Sequence, residues 1–126
     1  MDEANRFGTM TYEGWKDSLT RVLRRFSETE YQARVWLRGD GPEVDSYEEA
    51  VTALDDYDFN SFVECSRRSD LLTDAKVAEL YKFKQSLGEF DRSVVSGLFA
   101  RPEHFLDPKW SAVVAAAKEA EAALSC

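Results

Sequence analysis

The residues of this chain that could carry out chemistry are mostly acidic. The pattern Asp56-x-Asp58-x-Asn60 matches the first positions of a calcium-binding loop. Such a loop also needs glycine at its sixth position and a bidentate glutamate at its twelfth, where this chain has Ser61 and Arg67. Because an arginine cannot supply the missing carboxylate, the sequence excludes the standard calcium site.

Histidine and cysteine, on which most zinc sites and nucleophilic enzymes depend, are scarce. The chain has one histidine, His104, and two cysteines, Cys65 and Cys126. A zinc site needs three or four ligands at fixed spacing, and a serine or cysteine nucleophile needs an adjacent base. His104 lies in a proline-containing stretch that favours a surface turn. We therefore predict no catalytic, cofactor-binding or metal-binding residues, and a protein that is not an enzyme.

The acidic residues are concentrated in one stretch of the chain. Residues 39–66 contain nine acids and no lysine or arginine, a charge of −9 within a chain whose net charge is −8. From Lys16 to Arg38 the balance is reversed, with six basic and three acidic residues. We expect an electrically dipolar molecule that repels nucleic acid and anionic membranes and attracts basic proteins.

Two interpretations of this acidic segment stay open. It can be a solvated face that the arginines of the first helix neutralise in the fold. It can instead be a binding surface, because aromatic residues such as Tyr47 and Tyr57 anchor many interfaces and complementary charge speeds association. Carboxylates spread over a convex surface could then imitate a phosphate backbone. The predicted partner-binding residues are Glu43, Asp45, Tyr47, Glu48, Asp55, Asp56, Tyr57 and Asp58.

Helical periodicity predicts two helices in the first part of the chain. Apolar residues recur every three or four positions from Trp15 to Phe26, which predicts the first helix. Residues 27–30 have the form of a capping box, and a second, short helix would run from there to about Leu37. Gly39 is suited to end it.

The remaining pattern is helical as well. A third helix opens at Asp45 or Ser46, and residues 59–63 suggest one further apolar turn. The most regular pattern begins at Thr73 and continues to about Asp91. Residues 92–101 fit either a short strand or a continuing helix.

A last helix opens at Asp107, with proline at its first position. The fold class we predict is all-α, an irregular bundle of five or six helices. We expect residues 1–9 to be a loose leader and residues 10–126 a single helical domain. The N-terminus lacks the features of a signal peptide and no stretch approaches a membrane span, so we expect a cytoplasmic protein.

Three short motifs resemble known proteins in their order and spacing. They are EYQxxVW at 30–36, AVxxLDD at 50–56 and DPxWSAVVxAA at 107–117. They resemble a group of short, mostly uncharacterised actinobacterial proteins, some of which look like immunity proteins of bacterial toxin systems. The resemblance spans residues 12–124. It implies a cytoplasmic protein that neutralises a basic toxin domain by binding it, without a cofactor or a catalytic residue.

Charge and resemblance together favour a non-catalytic binding inhibitor, an immunity protein that neutralises a basic, nuclease-like toxin through its acidic segment. The expected partner is a basic protein, with no direct binding of nucleic acid or membrane. One alternative is a phage-encoded inhibitor of a nucleic-acid-binding defence complex. Another is a structural or regulatory helical module that forms a homodimer. An enzyme is the third class, and it would need a pocket of carboxylates with raised pKa values.

Overall fold

The computed structural model describes residues 11–39, 41–97 and 99–125, so the predicted leader at 1–9 lies outside the described part of the chain. Six α-helices and no strand form in the described residues. The helices are α1 Tyr12–Ser27, α2 Thr29–Tyr31, α3 Tyr47–Asp56, α4 Phe59–Arg68, α5 Asp74–Phe90 and α6 Pro108–Ser125. The predicted all-α, irregular bundle of five or six helices is confirmed. Within these ranges no helix combines the length and the apolar character that crossing a bilayer requires.

Short polar side chains fix where the helices begin. The Ser46 hydroxyl accepts a hydrogen bond from the backbone N–H of Glu49 at 3.1 Å, and the Thr73 hydroxyl accepts one from Lys76 at 3.2 Å. Each bond satisfies one of the backbone donors that the first turn of a helix leaves unpaired. Of the two positions predicted to start α3, Ser46 is the cap, which leaves the carboxylate of Asp45 available for other contacts.

The capping box predicted at residues 27–30 is wrong. Ser27 is the last residue of α1, and Glu28 occupies the N-cap of α2 without a side-chain hydrogen bond. The Ser27 hydroxyl instead donates to Oε1 of Glu121 on α6 at 2.9 Å. The other oxygen of that carboxylate accepts from Nε of Arg24 at 2.8 Å. A contact with a distant helix therefore uses the serine that local sequence would assign to a cap.

Helix α6 packs against both α1 and α5, and these three helices form the centre of the bundle. Trp110, at the start of α6, is buried, and its ring centroid lies 4.9 Å from those of Phe90 and Phe105. Its indole N–H donates to the side-chain oxygen of the buried Gln32 at 3.2 Å. The aromatic cluster around it consists of Phe26, Trp36, Tyr47, Phe90 and Phe105.

Two wider helical turns extend α2 and α5. Gln32–Leu37 and Asp91–Val95 are π-helical, with backbone hydrogen bonds that join residues five apart. The second of them resolves part of the ambiguous stretch 92–101, which starts as a continuation of α5. A 3₁₀-helix, Pro102–Leu106, then leads to α6. Single π-helical turns of this kind are frequent near functional sites.

Helix α4 is longer than the single apolar turn predicted at residues 59–63. Its stripe continues with Ser66, which is fully buried although it is polar. The Ser66 hydroxyl donates to the carbonyl of Phe62 at 2.8 Å and shares a 2.7 Å hydrogen bond with the hydroxyl of Tyr12. Because these bonds satisfy the serine, it fills a core position that an apolar pattern does not predict.

Candidate protein-interaction site

Helix α3 separates apolar residues on one side from polar residues on the other. Tyr47, Ala50 and Leu54 are buried against the core. At about 100° per residue, the opposite positions fall within an arc of about 120° on one side of the helix. They are Glu48, Glu49, Thr52, Asp55 and Asp56. We call these five residues the acidic face.

The carboxylates of the acidic face are largely uncompensated. Glu49, Asp55 and Asp56 are exposed, and none forms an ion pair with another described residue. Glu48 is half-buried, and its Oε2 accepts a hydrogen bond from the backbone N–H of Ala100 at 2.7 Å. Three negative charges thus lie on the surface of one short helix without an ion-pair partner among the described residues.

A shallow groove of about 360 Å³ lies along one side of the acidic face. Glu48, Glu49, Thr52 and Asp56 line it together with Val44, whose side chain is 90% exposed. The ion pair between Arg25 and Asp45 forms the rest of its lining. The groove is therefore bordered by the exposed carboxylates of Glu49 and Asp56 and by one solvent-exposed apolar side chain.

The side chain of Asp45, one of the residues predicted to contact a partner, is enclosed by other parts of the chain. Its side chain is 5% exposed and pairs with the guanidinium of Arg25, whose Nε lies 2.9 Å from Oδ2. The same oxygen accepts from the hydroxyl of Tyr31 at 2.7 Å and from the indole of Trp36 at 2.8 Å. Asp45 therefore joins α1, the α2 region and the start of α3.

The π-helical turn explains how two side chains of the α2 region reach one carboxylate. Tyr31 and Trp36 are five residues apart, which in an α-helix would point them in directions about 140° apart. A turn whose hydrogen bonds join residues five apart brings such positions close to one face. Burial and the hydrogen bond to Asp45 raise the pKa of Tyr31 to about 12, so its hydroxyl stays a donor at neutral pH.

The two tyrosines predicted as anchors are not exposed aromatic side chains. Tyr47 is 3% exposed, and its hydroxyl donates to Asp91 at 2.8 Å. Burial, reinforced by the Asp91 carboxylate, raises the pKa of the Tyr47 hydroxyl. Tyr57 is half-buried against the core, and its carbonyl accepts the indole N–H of Trp15 at 2.6 Å. Tyr47 belongs to the aromatic cluster, and Tyr57 packs on the edge of the core, so both tyrosines contribute to the packing of the bundle.

Glu43 is exposed but already paired. Its two carboxylate oxygens accept hydrogen bonds from the guanidinium of Arg34 at 2.7 and 3.1 Å. These bonds lower the pKa of Glu43 to about 2. Arg34 and Arg25 thus each hold one acid of the segment, but only Arg25 belongs to the first helix, whose arginines were expected to neutralise it.

Asp58 starts α4. Its Oδ1 accepts from the backbone N–H of Ser61 at 3.3 Å, and its backbone has a left-handed conformation with φ of 51°. Aspartate and asparagine accept this conformation more readily than other residues that carry a side chain.

Replacing Asp58 with alanine should lower the free energy of unfolding by about 2 kcal/mol, because it removes a cap and places a methyl side chain in the left-handed region. Asp58→Asn keeps both properties and should stay close to the wild type. Urea unfolding followed by circular dichroism measures the difference. An alanine variant as stable as the asparagine variant would contradict the capping role.

Of the eight residues predicted to bind a partner, the structure brings Glu48, Asp55 and Asp56 together on the acidic face. Asp45 and Tyr47 are buried, Tyr57 is half-buried, and Glu43 and Asp58 are engaged by Arg34 and by the α4 cap. Sequence reasoning did not single out three residues of the same surface, which are Val44, Glu49 and Thr52. The spacing 48, 49, 52, 55, 56 along a capped helix is the signal that could have found the two polar ones.

In the part of the chain that the structure describes, no group of three or more histidine, cysteine or carboxylate residues is placed to hold a metal ion. A comparison of the chain with protein family models, with curated proteins and with solved structures finds no match.

Proposed function

We propose that this chain is a non-catalytic binding protein whose acidic face docks onto a basic protein, as an immunity protein does when it neutralises a nuclease-like toxin. The observation that carries the proposal is the group of exposed carboxylates on one side of α3, Glu49, Asp55 and Asp56, none of which pairs with a basic residue that the structure describes. Neutralising a toxin inside the producing cell would place the protein in the cytoplasm.

The pairing of the other acids supports this choice of surface. Asp45 is held by Arg25, Glu43 by Arg34, and Glu64 by Arg67. In each pair an arginine compensates the negative charge of the carboxylate. What remains unpaired on α3 is confined to the acidic face, where it can steer a cationic partner toward one orientation.

Two of these acids lie where a carboxylate contributes little to the stability of the fold. Asp55 and Asp56 lie in the last turn of α3, where the helix dipole favours cations and disfavours carboxylates. Neither caps α4, because Asp58 does so. A basic partner would supply the counter-charge that residues 11–39, 41–97 and 99–125 do not provide there.

The dimensions of the face suit a protein that normally binds nucleic acid. Glu49 and Asp56 are separated by about 10 Å along the helix axis, at 1.5 Å per residue. A nucleic-acid strand advances about 3.4 Å per phosphate along its axis, so the face spans the length of about three phosphates. Lysines and arginines that are arranged to bind a phosphate backbone would therefore meet carboxylates spread over a similar length.

Affinity capture with matched charge variants tests the proposal. The variant Asp55→Lys/Asp56→Lys reverses two charges on the acidic face. The control Glu30→Lys/Glu119→Lys makes the same change in charge at exposed positions of α2 and α6. The wild type and the control should retain a basic protein from a lysate of the encoding organism at low salt and lose it at high salt. The α3 variant should bind that protein on the order of a hundredfold more weakly.

Each outcome has a distinct meaning. If the α3 variant and the control retain the same basic protein equally, the acidic face is not the interface. If no basic protein is retained and the wild type forms a homodimer whose affinity barely changes with salt, the structural module replaces the inhibitor. A toxin domain as the captured protein supports immunity. A defence complex supports the phage-encoded inhibitor, which would act by the same charge complementarity.

A further inference from the structure

Two large apolar side chains are exposed on the two segments that adjoin Glu48 of the acidic face, the chain leading into α3 and the loop hydrogen-bonded to Glu48. Val44 is 90% exposed and lines the same groove as Glu48 and Asp56. Phe99 is 80% exposed. Single exposed apolar residues are common on proteins, so only the position of these two relative to the charges distinguishes them.

The loop that carries Phe99 is attached to α3. The backbone N–H of Ala100 donates to the carboxylate of Glu48 at 2.7 Å, and Ala100 packs against the core. Because neighbouring Cα atoms are about 3.8 Å apart, this bond fixes the backbone of Phe99 next to the acidic face. Val44 and Phe99 are thus both held near Glu48, one through the chain that leads into α3 and the other through this hydrogen bond.

The charges beside these side chains decide what can cover them. A second copy of the chain related by a two-fold axis through this surface would bring Glu49, Asp55 and Asp56 against the same three acids of its partner. Nucleic acid and anionic membranes would meet the same repulsion. A segment rich in lysine and arginine is attracted, and it buries the apolar pair only if it carries apolar side chains of its own.

We propose that Val44 and Phe99 form an apolar seat for a cationic segment of the partner, in which aliphatic or aromatic residues alternate with lysine and arginine. This inference rests on the proposed function and adds to it the chemistry of the occupant. Charge attracts the segment to α3, and burial of its apolar side chain against Val44 and Phe99 adds affinity that salt does not screen.

Two synthetic peptides test the seat. One alternates lysine with serine, and the other has the same length and charge but carries leucine at two of the serine positions. Calorimetric titration of the wild type should show about tenfold tighter binding of the leucine peptide, the gain expected from burying an apolar side chain. In Val44→Ser/Phe99→Ser this preference should disappear, while weak, salt-sensitive binding of both peptides remains. Leu71→Ser removes a 49% exposed leucine from a different groove, which is lined by the loop between α4 and α5, the start of α5 and Lys16 of α1, and it should keep the preference.

The outcomes separate this inference from the proposed function. Equal affinity of the wild type for both peptides would overturn the apolar seat alone, and so would a preference that survives in Val44→Ser/Phe99→Ser. Binding of neither peptide, or binding unchanged in Asp55→Lys/Asp56→Lys, would overturn the cationic occupant and the proposed function with it. A homodimer that dissociates in Val44→Ser/Phe99→Ser would assign the surface to a second copy instead.

Discussion

Replacing Asp45 with asparagine is expected to lower the free energy of unfolding by about 3 kcal/mol, because it leaves a largely desolvated arginine without its counter-charge. The Asp45 side chain is 5% exposed and that of Arg25 is 27% exposed. Tyr31 and Trp36 donate hydrogen bonds to the same carboxylate. The substitution therefore replaces the charged acceptor that joins α1, the α2 region and the start of α3 with a neutral one. Urea unfolding at pH 7 measures the loss.

The pH dependence of that loss follows from the pKa of Asp45. Burial alone would raise it, but the hydrogen bonds from Arg25, Trp36 and Tyr31 outweigh burial and hold the pKa below its ordinary value. The charged carboxylate therefore contributes stability that is complete above the unfolded pKa of about 3.9 and is lost as the pH falls through the folded pKa. The difference between the wild type and Asp45→Asn should narrow below about pH 4.

Glu43→Gln is the matched control for Asp45→Asn. Glu43 also pairs with an arginine, but its side chain and that of Arg34 are 44% and 38% exposed. Solvent screens such a pair, so its loss should change stability far less. Equal losses in the two variants at pH 7 would contradict the structural role assigned to Asp45.

Replacing Trp110 with alanine should lower the free energy of unfolding by about 4 kcal/mol. The variant opens a cavity between α1, α5 and α6, where the ring contacts Phe90 and Phe105. It also leaves the buried side-chain oxygen of Gln32 without its indole donor, and an unsatisfied buried acceptor adds to the cost.

Trp110→Phe separates the two contributions, because it keeps most of the ring contacts and removes only the indole donor. We expect it to cost about 1–2 kcal/mol. Unfolding followed by far-ultraviolet circular dichroism is suited to both variants, since each removes a fluorescent residue. A Trp110→Ala variant within about 1 kcal/mol of the wild type would contradict the central place of this residue in the core.

The fold could be read from the sequence wherever apolar spacing and a cap agree. The helix that opens at Thr73 and the one that opens at Asp107 have both signals, and both form as expected. The sequence pattern gave a wrong prediction where a polar side chain forms a hydrogen bond with a residue that is distant in sequence. The hydroxyl of Ser27 bonds to Glu121 instead of capping a helix. Ser66 occupies a core position, which the sequence pattern does not predict for a serine.

The candidate site was only partly predictable for the same reason. Composition identifies the acidic segment, but burial of a given carboxylate depends on contacts that sequence spacing does not contain. Asp45 is drawn inward by Arg25, twenty residues earlier, and by a π-helical turn that brings Tyr31 and Trp36 together. Asp55 meets no such partner and stays on the surface.

The most direct test of the central claim is a nuclear magnetic resonance titration of the nitrogen-15-labelled chain with the basic protein that it captures. The acidic face predicts that the largest changes in amide chemical shift fall on Val44 and on residues 48–56. Changes confined instead to the groove between α5 and α6, which includes Lys84, Arg92 and Lys109, would contradict the account and place the partner on a different, basic surface.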